Sequence, residues 1–518
     1  MTGRRSWCVR SRAKEAVPPA EGRRREASPL PPSAGAVARE YLEEHRLLPL
    51  SREGGRVVVA HAGAPDPQAL AELAAYFGEP LELTELPEDR LLAMVRRAYG
   101  GEPETAAEFI AGLDAGGAVA FEETLPDDLE ELANQAPVVR LVNLLLAEAV
   151  AAGASDVHLE AEPGGMRVRY RLDGVLHDAP APPAHMRAAV VSRLKIMAEL
   201  DIAERRLPQD GRVRLRVEER ELDLRVSTLP TLFGESVVLR ILDGRRAVMG
   251  LDGLGLAADT LAALNAFAGR AHGVLLATGP TGSGKTTTLY ALVQRLRTGR
   301  EKIISVEDPV EYELDGVAQV PVRAAAGLTF ARALRSILRQ DPDVLLVGEM
   351  RDPETAEICA QAALTGHLVL STLHTNDAPS ALTRLLDLGV PDYLVASTVE
   401  LVLAQRLVRV VCDACARWVA PEAAVRREMA RDGRELDRVR VGRGCDACRR
   451  TGYRGRTGIY ELLVVDDDIR GELLRRPDAR AIRKLALEKG MRPLRADGWR
   501  QVEAGVTTPA EVLRATGE

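Results

Sequence analysis

The stretch Gly279-Pro280-Thr281-Gly282-Ser283-Gly284-Lys285-Thr286 satisfies GxxxxGK[ST], the spacing that cradles a polyphosphate. Its glycines let backbone N–H groups curl around a phosphate. The Lys285 ammonium reaches the β- and γ-phosphates, and the Thr286 hydroxyl helps hold Mg²⁺, with Thr287 next in the same turn. VLLATG precedes the loop and a helical pattern follows it, the setting that such a loop requires. Two acidic strand ends offer carboxylates. Glu349 follows Val344–Val347 and Gly348, an atypical placement that puts a longer side chain toward Mg²⁺. Glu307, in Ser305-Val306-Glu307-Asp308-Pro309, is the candidate for polarising an attacking water. His374 ends the run HLVLSTLH, where a γ-phosphate sensor would sit. His367 begins that run at an odd separation, so the two imidazoles point to opposite faces and share no metal.

A second constellation is made of thiols. CDAC occurs twice, at Cys412–Cys415 and Cys445–Cys448, with 29 residues between the copies. Four thiolates in matched C-x₂-C pairs suit a closed tetrahedral Zn²⁺ site, and Gly442, Gly444 and Gly452 permit the tight turns of a metal knuckle. Redox chemistry is the rival for any CxxC, and two structural disulfides fit poorly with a reducing compartment. Cys359, within ETAEICAQAAL, reads as a buried helix residue, and Cys8 falls in the N-terminal tail.

These residues need elements to position them. Apolar strands VLLATG, IISVED, VLLVGE and HLVLSTLH alternate with helical stretches after Gly250, which predicts a mostly parallel sheet covered on both faces. Upstream, a helix over 136–152 leads into alternating runs at Ala154–Leu159, Met166–Leu172 and Leu222–Ser227, a second α/β module ending near Asp243. A smaller α/β module is expected over 35–116, with helical spacing from Val37 to Leu48, a strand at Arg56–Ala60, and Asp66-Pro67 opening a helix. The acidic stretch 117–130 reads as a linker and residues 1–34, rich in Arg, Pro, Ala and Ser, as a disordered tail.

Bulk properties set limits. The chain has 518 residues, too many for one core, and 46% apolar with 28% charged residues marks a globular protein. A net charge of -7 argues against a nucleic-acid partner held by a general basic surface. The N-terminal arginines precede no apolar h-region, so no export signal is expected, and no apolar run approaches a membrane span. The expected location is the cytoplasm.

ASDVHLE, RLPQDGR, GPTGSGKTTTLY, VEDPVEYELDGVAQVPV, LTFARALRSILRQDPDVLLVGEMRDPETAE and ALTGHLVLSTLHTNDAPSALTRLLDLG together resemble the secretion ATPases of type II secretion and type IV pilus assembly. The likeness is closest to the GspE-like type II members, and it runs from about residue 35 to the C-terminus. It implies a RecA-like P-loop motor over 245–518 that binds ATP and Mg²⁺, preceded by a PAS-like N2 domain at 131–244 and an N1 docking domain at 35–116. The tetracysteine insertion of those ATPases matches a zinc-binding appendage at 409–457. The resemblance further suggests nucleotide-site arginines at Arg225 and Arg240 in N2 and at Arg335, Arg339 and Arg351 in the motor. A homohexamer is implied, held peripherally at the inner membrane by GspL-like and GspF-like platform proteins. Met350, where the family usually has isoleucine, conserves volume.

Overall fold

The computed structural model describes residues 37–95, 105–115, 132–242 and 249–517, with short breaks at 38, 54–55, 89, 93–94, 218–219 and 476–477. The expected tail at 1–34 and linker at 117–130 lie outside the described residues. Two compact units result, one up to Phe109 and the other from Ile110 onward.

In the first unit, β1 (Leu47–Glu53) pairs antiparallel with β2 (Arg56–His61), which pairs parallel with β3 (Leu81–Glu85). A helix over Pro67–Phe77 follows β2; the Asp66 carboxylate accepts from the Gln68 N–H at 2.9 Å, and Pro67 begins the first turn. The helical spacing expected through Leu48 ends early. The helix covers Arg39–His45, Arg46 turns back at φ 52°, and Leu47 and Leu48 enter β1 fully buried. Pairing with the β2 valines buries those leucines better than another helical turn would, so tertiary packing overrides the local period.

The second unit holds two larger sheets. Strands β4 (Asp156–Glu162), β5 (Gly165–Leu172), β6 (Val175–Ala179), β7 (Gln209–Val217), β8 (Arg220–Thr231) and β9 (Gly234–Leu242) form an antiparallel sheet in the order β6-β5-β4-β9-β8-β7. The helix Ala136–Ala151 packs on it, its Val142, Leu145 and Leu146 facing Val157, Leu159 and Leu239 across one apolar seam.

The remaining sheet is built from β10 (Gly273–Thr278), β11 (Ile303–Glu307), β12 (Val317–Pro321), β13 (Val344–Val347), β14 (Leu368–Leu373), β15 (Val399–Val411) and β18 (Tyr453–Val464). Its order is β12-β11-β13-β14-β10-β15-β18, parallel throughout except for β18. Strict alternation splits its side chains between two cores. Val274, Leu276, Leu345, Val347, Val369 and Val402 enter one; Leu275, Leu346, Leu370, Leu401 and Leu403 enter the other. Each such side chain contributes about 1.5–3 kcal/mol when taken from water, which anchors strands covered on both faces. The polar strand ends are therefore displayed from a rigid platform. Between β15 and β18 the chain leaves the sheet for an appendage with β16 (Ala416–Val419), the helix Ala423–Arg431, β17 (Val439–Gly442) and both CDAC loops.

Candidate functional site

β10 delivers the chain into the Gly279–Thr286 loop, and the helix Lys285–Leu296 carries it away. Gly279 has φ 146°, and a Cβ there would stand 2.6 Å from the Gln405 carbonyl oxygen, so only glycine fits this close approach. Lys285 is buried at 9% exposure. Its ammonium donates to the carbonyls of Gly279 at 2.7 Å and Pro280 at 3.2 Å. Burial pulls its pKa down to about 8; the Glu349 carboxylate opposes that shift and the Arg406 cation adds to it. Thr286 and Thr287 are half-buried in the first helical turn, while Pro280 and Thr281 are exposed.

Glu349 stands just past β13, in a loop pinned from β14 by the Thr372 hydroxyl on the Gly348 carbonyl at 2.7 Å and by the Met350 N–H on the Thr372 carbonyl. Its Oε2 lies 2.6 Å from Arg351 Nε and 3.5 Å from His374 Nε2. Burial, and then the Lys285 charge, hold the His374 imidazole below its usual range. His367, at the opposite end of β14, instead meets the Ala362 carbonyl at 2.8 Å.

Glu307 has a different setting. It is 3% exposed, one carboxylate oxygen takes the Tyr290 hydroxyl, and the other takes Ser305 Oγ at 2.6 Å and Gln319 Nε2 at 3.2 Å. Tyr312 closes the cage edge-on to Tyr290, with ring centroids 4.6 Å apart. Burial, then the Glu307 charge, raises the Tyr290 pKa and keeps the phenol a donor.

Of the five arginines singled out in the sequence, Arg351 alone meets Glu349. Arg335 pairs with Glu354, and Arg339 donates to the Arg335 carbonyl at 2.6 Å. Arg225 and Arg240 face each other across β8 and β9. Arg240 holds Asp156 at 3.0 Å, and Arg225 reaches the Val310 carbonyl at 3.3 Å and Glu311 at 3.8 Å. The fold thus gathers Lys285, Glu349, Arg351 and His374, and gives Glu307, Arg225, Arg240, Arg335 and Arg339 other partners.

The four CDAC thiols converge, every Sγ lying within 4.8 Å of the others. Contacts of 3.9 Å for Cys412–Cys445, 3.8 Å for Cys415–Cys448 and 3.7 Å for Cys445–Cys448 match the edge of about 3.8 Å of a tetrahedron with Zn–S bonds near 2.3 Å. Gly442 and Gly452 touch backbone to backbone, since a Cβ on Gly442 would fall 2.0 Å from the Gly452 carbonyl oxygen. Although burial works against it, N–H donors from Cys445 and Gly452 and the neighbouring thiols pull the Cys448 pKa down to about 6. The donor set fits a closed tetrahedral site for a soft divalent ion such as Zn²⁺.

The sequence profile described as "Type II/IV secretion system protein" matches residues 131–514. The chain belongs to this family. A MshEN domain profile matches residues 21–105. Type II secretion system protein E of Xanthomonas campestris pv. campestris is 45% identical over 490 residues, covering 94% of this chain and 85% of that protein. The type IV pilus assembly ATPase PilB of Myxococcus xanthus is 41% identical over 485 residues, 93% of this chain and 86% of that one. Among solved structures, the Legionella pneumophila ATPase DotB superposes with TM-score 0.54 at 20% identity, covering 72% of this chain and 94% of DotB, which shows the shared fold. The protein is an ATPase of the secretion-motor class with the expected α/β P-loop core. No helix among the described residues is long and apolar enough to cross a membrane.

Within this secretion-ATPase site, several residues escape sequence reasoning. Gln405, 1% exposed, donates its amide to the Ser283 carbonyl at 2.7 Å beneath the P-loop. Arg406 donates to the Gln405 carbonyl at 3.1 Å and to Asn376 O at 2.9 Å. Tyr290 and Gln319 cage Glu307. The only available signal was the polar pair Gln405-Arg406 interrupting the apolar run VELVLAQRLV.

Proposed function

We propose that this chain is the hexameric motor of a type II secretion system, hydrolysing MgATP around Lys285 to drive pseudopilus assembly and protein export. The observation that carries the reading is Glu349, held between Arg351 and His374 and felt electrostatically by the buried Lys285 ammonium. Lys285 and the Gly279–Thr287 backbone bind the phosphates, displacing the carbonyl contacts that now satisfy the ammonium. The Thr286 hydroxyl would hold Mg²⁺, which would supply neutralisation of phosphate charge when bound. Glu349 orients the attacking water and accepts its proton; Arg351 and His374 fix that carboxylate and face the γ-phosphate.

Glu307, with every oxygen engaged, fixes the end of β11 from behind rather than meeting water itself. Arg225, Arg240, Arg335 and Arg339 complete the nucleotide site when subunits close into a ring, each first exchanging its present partner for phosphate. The four cysteines hold one structural Zn²⁺. Residues 35–116 dock on a GspL-like protein, a GspF-like protein receives the motor's work, and no nucleic acid takes part. The motor so held is cytoplasmic, peripheral at the inner face of the inner membrane.

The likeness to PilB supports a second reading, a type IV pilus assembly motor. A chromosomal Glu349→Gln allele separates the two. It should abolish export of secreted proteins while surface pili persist; lost pili with intact export would select the second reading, and a change in neither would refute both.

A further inference from the structure

β15 runs for thirteen residues beside β10, which has only six. Their register pairs Thr278 with Ala404, so at Gly279, where the chain peels away into the P-loop, β15 continues alongside as Gln405 and Arg406. That overhang is not loose: Gln405 and Arg406 stay paired to Tyr460 and Ile459 of β18. The P-loop therefore rests on a rail. Gln405 fastens one side of it through the Ser283 carbonyl.

Arg406 faces the other way. One terminal nitrogen donates to the Gln405 carbonyl, the atom packed beneath Gly279, and the other donates to both the carbonyl and the amide oxygen of Asn376, at 2.9 and 3.3 Å. Asn376 is two residues beyond His374. The same loop is stitched to β10 by the Thr375 N–H on Thr278 Oγ1 at 2.9 Å. Among the described residues no carboxylate hydrogen-bonds to the half-buried guanidinium, although burial depresses its pKa and the nearby Glu461 and Asp377 charges oppose that shift. Asp377 is taken by Arg483 at 2.9 Å, and Glu461 accepts from the Ala378 N–H at 2.9 Å and the Leu494 N–H at 3.4 Å. A desolvated cation aimed at neutral acceptors, one on its own strand and the others on the loop after β14, uses its planar geometry to hold that loop against the strand.

We propose that Arg406 is a positioning residue for ATP hydrolysis, tying the His374–Asn376 loop to the rail beneath Gly279 and so keeping His374 against Glu349. This rests on the assignment of Glu349 as the carboxylate that activates water. Lysine keeps the charge at this position but cannot span both acceptors with a planar fork.

The test uses the full-length chain and four variants, with steady-state ATP turnover and binding of a fluorescent ATP analogue. Arg406→Lys and Arg406→Gln should each lower kcat at least tenfold while KM and analogue affinity move less than threefold. Asn376→Ala, at an exposed position that leaves packing alone, should lower kcat about threefold by removing the side-chain amide acceptor while the Asn376 carbonyl remains. Glu349→Gln, run alongside, reads the underlying assignment separately. If Glu349→Gln is inactive while Arg406→Lys and Asn376→Ala turn over like wild type, the positioning role is overturned. Full activity of Glu349→Gln would instead remove the assignment beneath it. Equal losses in analogue affinity and kcat for Arg406→Gln, rescued by Arg406→Lys, would make Arg406 a phosphate contact and also overturn the proposal.

Discussion

The nucleotide site draws its side chains from the segments after β10, β13 and β14 and from the middle of β15, within residues 279 to 406, whereas the thiol cluster draws all four sulfurs from two short loops. The two differ in what they still lack. The thiols already stand near the corners of a tetrahedron, so an ion would complete them with little rearrangement. Lys285 lies folded onto its own loop's carbonyls, and four of the arginines suggested for the site are occupied elsewhere. One cluster is preformed; the other, on the reading proposed above, is completed by substrate and by movement. A motor needs that division, because a site complete in every state could not couple chemistry to motion.

The comparison breaks most sharply if metal and nucleotide prove linked. Stripping zinc with a chelator, or replacing Cys412 and Cys445 by Ser, should release one zinc per chain by elemental analysis. It should also expose 409–457 to protease, since structural zinc supplies on the order of 10 kcal/mol of folding free energy in small domains. Affinity for an ATP analogue should stay within threefold. Loss of ATP binding in step with the metal would contradict the division, as would protein purified zinc-free under reducing conditions.

Lys285→Ala makes the reciprocal cut. Turnover should fall at least tenfold, roughly 1.4 kcal/mol or more in the barrier, with zinc content untouched. Tyr290→Phe asks whether the cage around Glu307 matters. Removing one donor from a buried carboxylate should cost about 1–3 kcal/mol in denaturant unfolding, and an unchanged midpoint would show that the cage contributes nothing.

The smallest expected effect concerns pH. The Lys285 pKa is depressed to about 8, so the nucleotide-free protein loses this cation as pH rises through 8. ATP affinity should therefore weaken several-fold between about pH 7.5 and 9, and binding at pH 9 should take up a proton, because phosphate restores the charged form. Calorimetry in two buffers of different ionisation enthalpy measures both. Constant affinity with no proton uptake would place Lys285 in a less buried state than the one described.

How much of this was legible in the sequence depended on how local each feature was. The P-loop, the CDAC pairs and the alternating strands each declare themselves within about ten residues, because backbone geometry and ligand spacing are local demands. Helix entry at Asp66-Pro67 was legible for the same reason. Early termination of the first helix was not, since the burial of Leu47 and Leu48 depends on β2. Nor could spacing foresee that Glu307 would be caged by Tyr290 and Gln319, or that Arg335 would turn to Glu354. Those outcomes are set by which strands become neighbours. β15 lies far from the P-loop in sequence and directly beside it in the sheet, which is why the polar pair Gln405-Arg406 could mark an interruption of the apolar run but not name its partner.

The central claim is that Glu349 performs the chemistry at a site whose binding elements do not depend on it. Single-turnover quench-flow on Glu349→Gln protein, with radiolabelled ATP and stoichiometric zinc confirmed beforehand, addresses it directly. ATP should bind within threefold of wild-type affinity and remain uncleaved, with the rate of phosphate formation reduced at least tenfold. Cleavage at the wild-type rate would contradict the account and move the search for the water-activating carboxylate back to Glu307.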